Sequence, residues 1–394
     1  MASKRVHLTA TSLREFTQAV QSDTSVQELT LVGIHDDDGQ RPLDEAPAAR
    51  EELIDLLAQA FTVLVESGVK PLTLLNLRID IGGAGRRPIP KTELEARSTS
   101  RSAWQCSNDT FFIAIQALAA SKLQIQGLNV FNDLDMKLFA LASDQFNIVD
   151  WDSPDVGHAL ADLKSLSVNI STPVFAFRKR KTQKGAADWL GRVTEWTAPQ
   201  VRAEAEKEST FNGLARLVQK CPQLKHFEYR WLGIPLPQLP DLQGFKFPGW
   251  KILHLVTQLP NLPTLKRCTL RHHITRGPDV LELLERTKPA ELFIGPMWLD
   301  PGKFKPIFDY CTSKEANMEK LGFRGPLYQL GRPDLGQVHF QRQEYDEDAE
   351  CSAHLMREGD AIRRPIYHHM DTQGFVRPGS TYCDVVGEGK ANTF

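Results

Sequence analysis

No cysteine of this chain belongs to a CxxC pair. Cys106, Cys221, Cys268, Cys311, Cys351 and Cys383 lie far apart. That spacing argues against a zinc ribbon and a disulfide scaffold, both of which are built from closely spaced or framework cysteines. Several of the six sit in apolar runs and read as small core hydrophobes of a reducing compartment. No stretch approaches the roughly 18 apolar residues of a membrane helix. The first residues carry Lys4 and Arg5 but no apolar segment, so no secretory signal is visible. A surplus of one charge is missing too: 47 Lys and Arg stand against 49 Asp and Glu, a net charge of −2. Such a balance exerts no general pull on nucleic acid or an acidic membrane. The expectation is an intracellular protein, cytoplasmic or nuclear, with no membrane, nucleic acid, metal or other cofactor among its partners.

What the chain does have is a recurring phrase: apolar, two residues, apolar, one residue, apolar. It occurs at Val26-Leu29-Leu31, Leu72-Leu75-Leu77, Ile125-Leu128-Val130, Leu163-Leu166-Val168, Leu224-Phe227-Tyr229, Leu265-Cys268-Leu270, Pro289-Leu292-Ile294 and Met318-Leu321-Phe323. Nearly every gap holds a helix-like segment. A strand and a helix that return together build a solenoid, because neither can bury its apolar face without a stacked neighbour. The intervals between copies run from 24 to 61 residues. Only the last two match the roughly 20–29 residues of ordinary leucine-rich repeats. The longer ones call for inserted loops or extra helices.

Helical spacing predicts segments over 12–21, 46–67, 109–120, 134–142, 211–220, 250–259, 278–287 and 303–316. The segment 46–67 has Asp44 as a cap, Pro47 in its first turn, Gly68 at its end, and a stripe of Leu53, Ile54, Leu57, Phe61, Leu64 and Val65. Asp109 would cap the segment 109–120. Strands are expected at each copy of the phrase. Residues 1–328 are therefore expected to form the solenoid, with inserted loops near 82–103, 172–208 and 233–249. Residues 329–394, with the acidic run 344–348 and little periodicity, form an irregular C-terminal cap or a disordered tail.

Two phrases resemble the region that follows the F-box in fungal F-box proteins with degenerate leucine-rich repeats. One is His7-Leu8-Thr9-Ala10-Thr11 before a short helix and Val26-Gln27-Glu28-Leu29-Thr30-Leu31. The other is Leu217-Val218-Gln219-Lys220-Cys221-Pro222-Gln223-Leu224-Lys225, where a helix gives way to a strand. The resemblance covers roughly residues 1–330 and is one of style. It implies the repeat region of a substrate receptor in a Skp–cullin ubiquitin ligase, with a Skp-type adaptor as partner only if an F-box lies upstream. No F-box opening is visible in the sequence. The asparagine that ends the repeat strand in that family is replaced by Ile34, Asp80, Asp133, Ser171, Leu232 and His273.

Motifs for chemistry are weak. Gly82-Gly83-Ala84-Gly85-Arg86-Arg87 follows a strand but lacks the Lys-Ser/Thr of a phosphate loop. His272-His273 and His368-His369 are adjacent pairs, and neighbours on a strand point to opposite faces, so neither pair presents two ligands to one metal. A cysteine–histidine nucleophile has no local signature. Arg178-Lys179-Arg180-Lys181 with Lys184 is either a nuclear import signal or anion patch, or a solvated loop. Trp231, Trp250 and Trp298 are either core or part of a binding surface.

One constellation stands apart. The residue after the last apolar position of each phrase faces away from the core, because side chains alternate along a strand. Those residues are Val32, Arg78, Phe131, Asn169, Arg230, Arg271, Gly295 and Arg324. Half are arginine and none is acidic. Arginine holds carboxylate and phosphate bidentately, so Arg78, Arg230, Arg271 and Arg324 are the candidate contacts for an unknown protein target with an acidic or phosphorylated segment. The overall expectation is an α/β fold, an irregular leucine-rich-repeat-like solenoid with one curved, mostly parallel sheet and outer helices. Its function is non-catalytic protein–protein recognition, with no catalytic residues. The rival is an enzyme on an irregular α/β domain with a site that carries no recognisable motif.

Overall fold

The computed structural model describes residues 2–22, 25–35, 46–68, 71–81, 101–132, 139–172, 203, 206–232, 247–330, 335–341 and 353–371. Outside them lie the proposed cap Asp44, the glycine-rich loop from Gly82, the basic cluster from Arg178, most of the loop 233–249, the acidic run 344–348, Cys351 and Cys383.

All eight copies of the phrase form strands of one sheet, side by side and parallel. They are β2 (Val26–His35), β3 (Leu74–Ile81), β4 (Gly127–Val130), β6 (Ser165–Ser171), β7 (His226–Leu232), β8 (Arg267–Arg271), β10 (Glu291–Ile294) and β12 (Lys320–Phe323). β1 (Ala2–His7) adds a parallel strand at one edge, and β15 (Leu355–Glu358) an antiparallel one at the other. A short strand, β5 (Leu141–Ala142), also pairs with β6. Parallel neighbours need a crossover, and helices supply it. They are α1 (Ala10–Ser22), α2 (Ala46–Glu66), α3 (Arg101–Ser121), α4 (Pro154–Leu160), α5 (Gly213–Gln219), α6 (Trp250–Thr257), α7 (Gly277–Thr287) and α8 (Phe304–Thr312).

The apolar positions fall into register across the whole sheet. Leu29, Leu75, Leu128, Leu166, Phe227, Cys268, Leu292 and Leu321 are opposite one another in turn. None of them is more than 3% exposed. Two residues on, Leu31, Leu77, Val130, Val168, Tyr229, Leu270, Ile294 and Phe323 form a second buried row. These two rows, with the inner faces of the helices, are the core. At the β15 edge the first row ends on Arg357, whose guanidinium donates to the carbonyls of Arg364 and Pro365 while the side chain stays buried. The charged head finds oxygen acceptors while the stem stays buried, as snorkelling side chains do.

A second sheet was not expected. Past β8, β10 and β12 the chain turns a corner and forms β9 (His273–Thr275), β11 (Met297–Leu299) and β13 (Leu327–Gln329), which pair in parallel. β14 (Gly336–Phe340) and β16 (His368–Asp371) extend this sheet antiparallel. The corners are made by His272 at φ 60°, by Pro296, and by Gly325 at φ 91° followed by Pro326. Left-handed residues and prolines break the ladder and redirect the strand.

Several local expectations need correction. The helix expected from Asp109 begins at Arg101, and Asp109 lies inside it, where it takes hydrogen bonds from Arg50 and Gln105. Polar residues in the first turns of α3 hid its start. Residues 141–142 of the expected helix 134–142 are strand, followed by a 3-10 turn over 143–148. In α2, Val65 is 40% exposed instead of part of the apolar stripe. Its neighbour Leu64 takes the inward position in that turn. Gly68 does end α2, at φ 71°.

Candidate functional site

The face of the large sheet turned away from the two apolar rows carries the polar and charged side chains. Register places Val32 opposite Arg78, Asn169 opposite Arg230, and Arg230 opposite Arg271. Ladder hydrogen bonds continue past the strand ends: the amide of Phe131 donates to Leu77, Gly295 to Leu270 and Arg324 to Ile294. The eight positions after the last apolar residue thus form one row across the sheet.

The row is not uniform. Val32, Phe131 and Asn169 are fully buried. Phe131 sits at φ 55°, and Asn169 donates through Nδ2 to the carbonyl of Phe139 at 2.5 Å and of Phe131 at 3.4 Å. Phe131 and Asn169 lie between Arg78 and the other three arginines, so three strand steps separate Arg78 from Arg230. Strands lie about 4.8 Å apart, so Arg78 is about 14 Å from Arg230 along the row, and Arg230 and Arg271 are immediate neighbours. Arg324 lies two steps beyond Arg271, with Gly295 between them. The structure therefore brings Arg230, Arg271 and Arg324 together and leaves Arg78 apart.

Counter-charges are built in. Arg271 Nε is 3.5 Å from Glu228 Oε1. Glu228 also accepts a hydrogen bond from Ser167 Oγ at 3.4 Å, and Ser167 accepts one from Asn132 Nδ2 at 2.6 Å. One register row further back, Arg267 pairs with Glu291 and Lys320 with Glu358. Arg271 and Glu228 are both partly exposed, 42% and 31%. A pair with that much solvent contributes about 1 kcal/mol or less, so an incoming anion can compete with Glu228 for Arg271. Arg324 is exposed; partial burial, with the charge of Arg324, holds the His354 imidazole below its ordinary range.

Other residues singled out in the sequence fall elsewhere. Cys221, Cys268 and Cys311 are buried free thiols, and burial pushes Cys268 and Cys311 up to about 12, against a backbone hydrogen bond in the case of Cys311, and Cys221 higher still. They are inert at neutral pH, because the thiolate is the nucleophile. His273 is buried in the corner after β8; its Nε2 lies 2.8 Å from the carbonyl of Tyr229 and its ring packs 4.1 Å from that of Tyr229. His369 stacks on His339 at 5.6 Å, while His368 meets the edge of Phe308 at 5.0 Å. Among the described residues no group of three or more His, Cys, Asp or Glu is placed to hold a metal ion. No described helix is long and apolar enough to cross a membrane. Trp231 and Trp298 are 6% exposed and packed against Phe247 and Tyr328.

Sequence reasoning missed one polar cluster, on the helical side. His254 Nδ1 of α6 lies 3.0 Å from Oδ1 of the buried Asp279 in the first turn of α7, and Arg276 covers Trp250 at 4.9 Å. Residues so far apart in the sequence give no periodic signal. The cluster joins two neighbouring helices; beside it Thr257 and Gln258 bond to Glu282. No protein-family model matches the chain, and no curated protein matches it in sequence.

Proposed function

We propose that the chain is a non-catalytic recognition protein, an irregular leucine-rich-repeat-like solenoid whose open sheet face binds an acidic or phosphorylated segment of a protein partner. The observation that carries this reading is the register of Arg230 and Arg271. Two guanidinium groups on adjacent strands repel each other, and the partly exposed Glu228, 3.5 Å from Arg271, offsets only part of that repulsion. An anion between them converts that repulsion into two charge-assisted contacts. The absence of acidic residues from the row, in a chain whose net charge is −2, supports the same reading.

The wider role implied by the family resemblance is recognition on behalf of a ubiquitin ligase, inside the cell. Of that role the proposal covers the target-holding half. A Skp-type adaptor titrated into this chain is expected to give no binding heat, since the F-box that would dock it is not visible in the sequence. Measurable heat would place an adaptor site on the chain and make it more than a target holder. The recognition half is tested by replacing Arg230 and Arg271 together with Ala. Binding to an acidic peptide should weaken, most steeply at low salt where screening is least, while the melting temperature stays near the parent value. Unchanged binding would overturn the proposal.

A further inference from the structure

Gly295 fills the place between Arg271 and Arg324. A Cβ there would come 3.1 Å from Arg271 Cγ, so the glycine gives the arginine stem room to lie across the strand. One register row back, on the same face, Thr269, Phe293, Gly322 and Met356 are successive partners. Gly322 also stands between larger neighbours: a Cβ on it would lie 2.7 Å from Met356 Sδ and 2.8 Å from Phe293 Cδ1. Phe293 and Met356 therefore close over the glycine as one apolar floor. Met356 is 40% exposed, and the Arg267 guanidinium lies 5.7 Å from the Phe293 ring. The floor is flanked by Arg271, with Arg230 behind it, and by Arg324.

We infer that this floor receives an apolar side chain of an extended acidic peptide whose two flanking anionic side chains are held by Arg271 and Arg324. The inference rests on the recognition reading above and adds the ligand pattern. Arg271 and Arg324 are two strand steps apart, about 10 Å. A polyproline-type segment advances about 9 Å over three residues and returns its side chain to the same side. Positions i and i+3 of such a segment match the two arginines. An intervening side chain points sideways, toward the neighbouring register row, which is where Phe293 and Met356 lie. The ligand pattern is acid, apolar, any residue, acid. Glu228 competes with the first acid for Arg271, so free protein and complex differ in which carboxylate that arginine holds.

The test uses the full chain and two blocked, glycine-flanked peptides, Asp-Leu-Pro-Asp and Asp-Gly-Pro-Asp, titrated calorimetrically at low salt. The first should bind about tenfold more tightly, the value of partly burying one leucine side chain. Phe293→Ala, or Met356→Gln at the exposed end of the floor, should remove that difference and leave the weaker binding in place. Glu228→Gln should tighten both peptides severalfold. Equal affinities of the two peptides in the parent would overturn the inference; the recognition reading would survive if replacing Arg230 and Arg271 by Ala still weakened both. If that double replacement changed neither, both readings would fall together.

Discussion

The two halves of the sheet solve one problem with different lengths of chain. From β1 to β4 the crossovers use long helices, with 21 residues in α2 and 21 in α3. From β7 onward the described helices have 8 to 11 residues, and β8, β10 and β12 each turn into a second short strand. The faces differ in the same way. In the first half the row after the apolar positions is largely buried, at Val32, Phe131 and Asn169. In the second it presents Arg230, Arg271 and Arg324. The lesson is that a shared core pattern does not imply a shared surface. The first half supports the sheet, and the second carries the groups able to meet a charged partner.

The largest expected effects test whether the halves share one core. Leu166→Ala in β6 and Leu292→Ala in β10 should each cost on the order of 2–5 kcal/mol, because both remove a fully buried side chain from the same register row. Chemical denaturation should show one transition for both variants. A loss below about 1 kcal/mol at either site, or two separate transitions, would mean that the halves do not stand on a common core.

A pH effect belongs to the second half. Burial pushes His273 down from 6.5 to about 4. The folded state keeps this ring neutral while the unfolded chain takes up a proton, so stability falls as pH drops from about 6.5 toward 4. By linkage this group accounts for up to roughly 3 kcal/mol. His226, His354 and His368, also held below their ordinary range chiefly by burial, add losses of the same sign. Replacing His273 with Gln should flatten the fall in melting temperature over that window. Parallel pH profiles for parent and variant would contradict this account of the corner.

A smaller effect is expected at Gly325, whose φ of 91° turns β12 into β13. Gly325→Ala should cost about 1–2 kcal/mol for the left-handed backbone, and the Cβ would also press on Pro296. At Gly68, φ 71° with open space around it, Ala should cost only the backbone part. Equal melting temperatures for the two variants would show that the corner adds no crowding.

The difference between the halves also governs what could be read from the sequence. Every strand that carries the apolar phrase was legible, because Leu29, Leu75, Leu166 and their partners must face one core, and a period of two reports that directly. The arginine row followed from the same period. β1 was not legible, since only Val6 marks its inward face. The strands β9, β11 and β13 have three residues each, too few for alternation to show. The corner residues were visible as Pro296, Gly325 and Pro326, but punctuation does not say that a second sheet follows. The burial of Phe131 and Asn169, which isolates Arg78, depends on the path of the chain around Phe139, and no local pattern encodes that.

Under the proposed function, recognition belongs to the arginines of the second half. Titration of a poly-aspartate peptide into the parent chain, the Arg230→Ala/Arg271→Ala double variant and Arg78→Ala, all at low salt, tests it most directly. The expected result is a loss of tenfold or more for the double variant, on the order of one charge-assisted contact, and affinity near the parent value for Arg78→Ala. A double variant that binds as tightly as the parent, or an equal loss on removing Arg78, would contradict it.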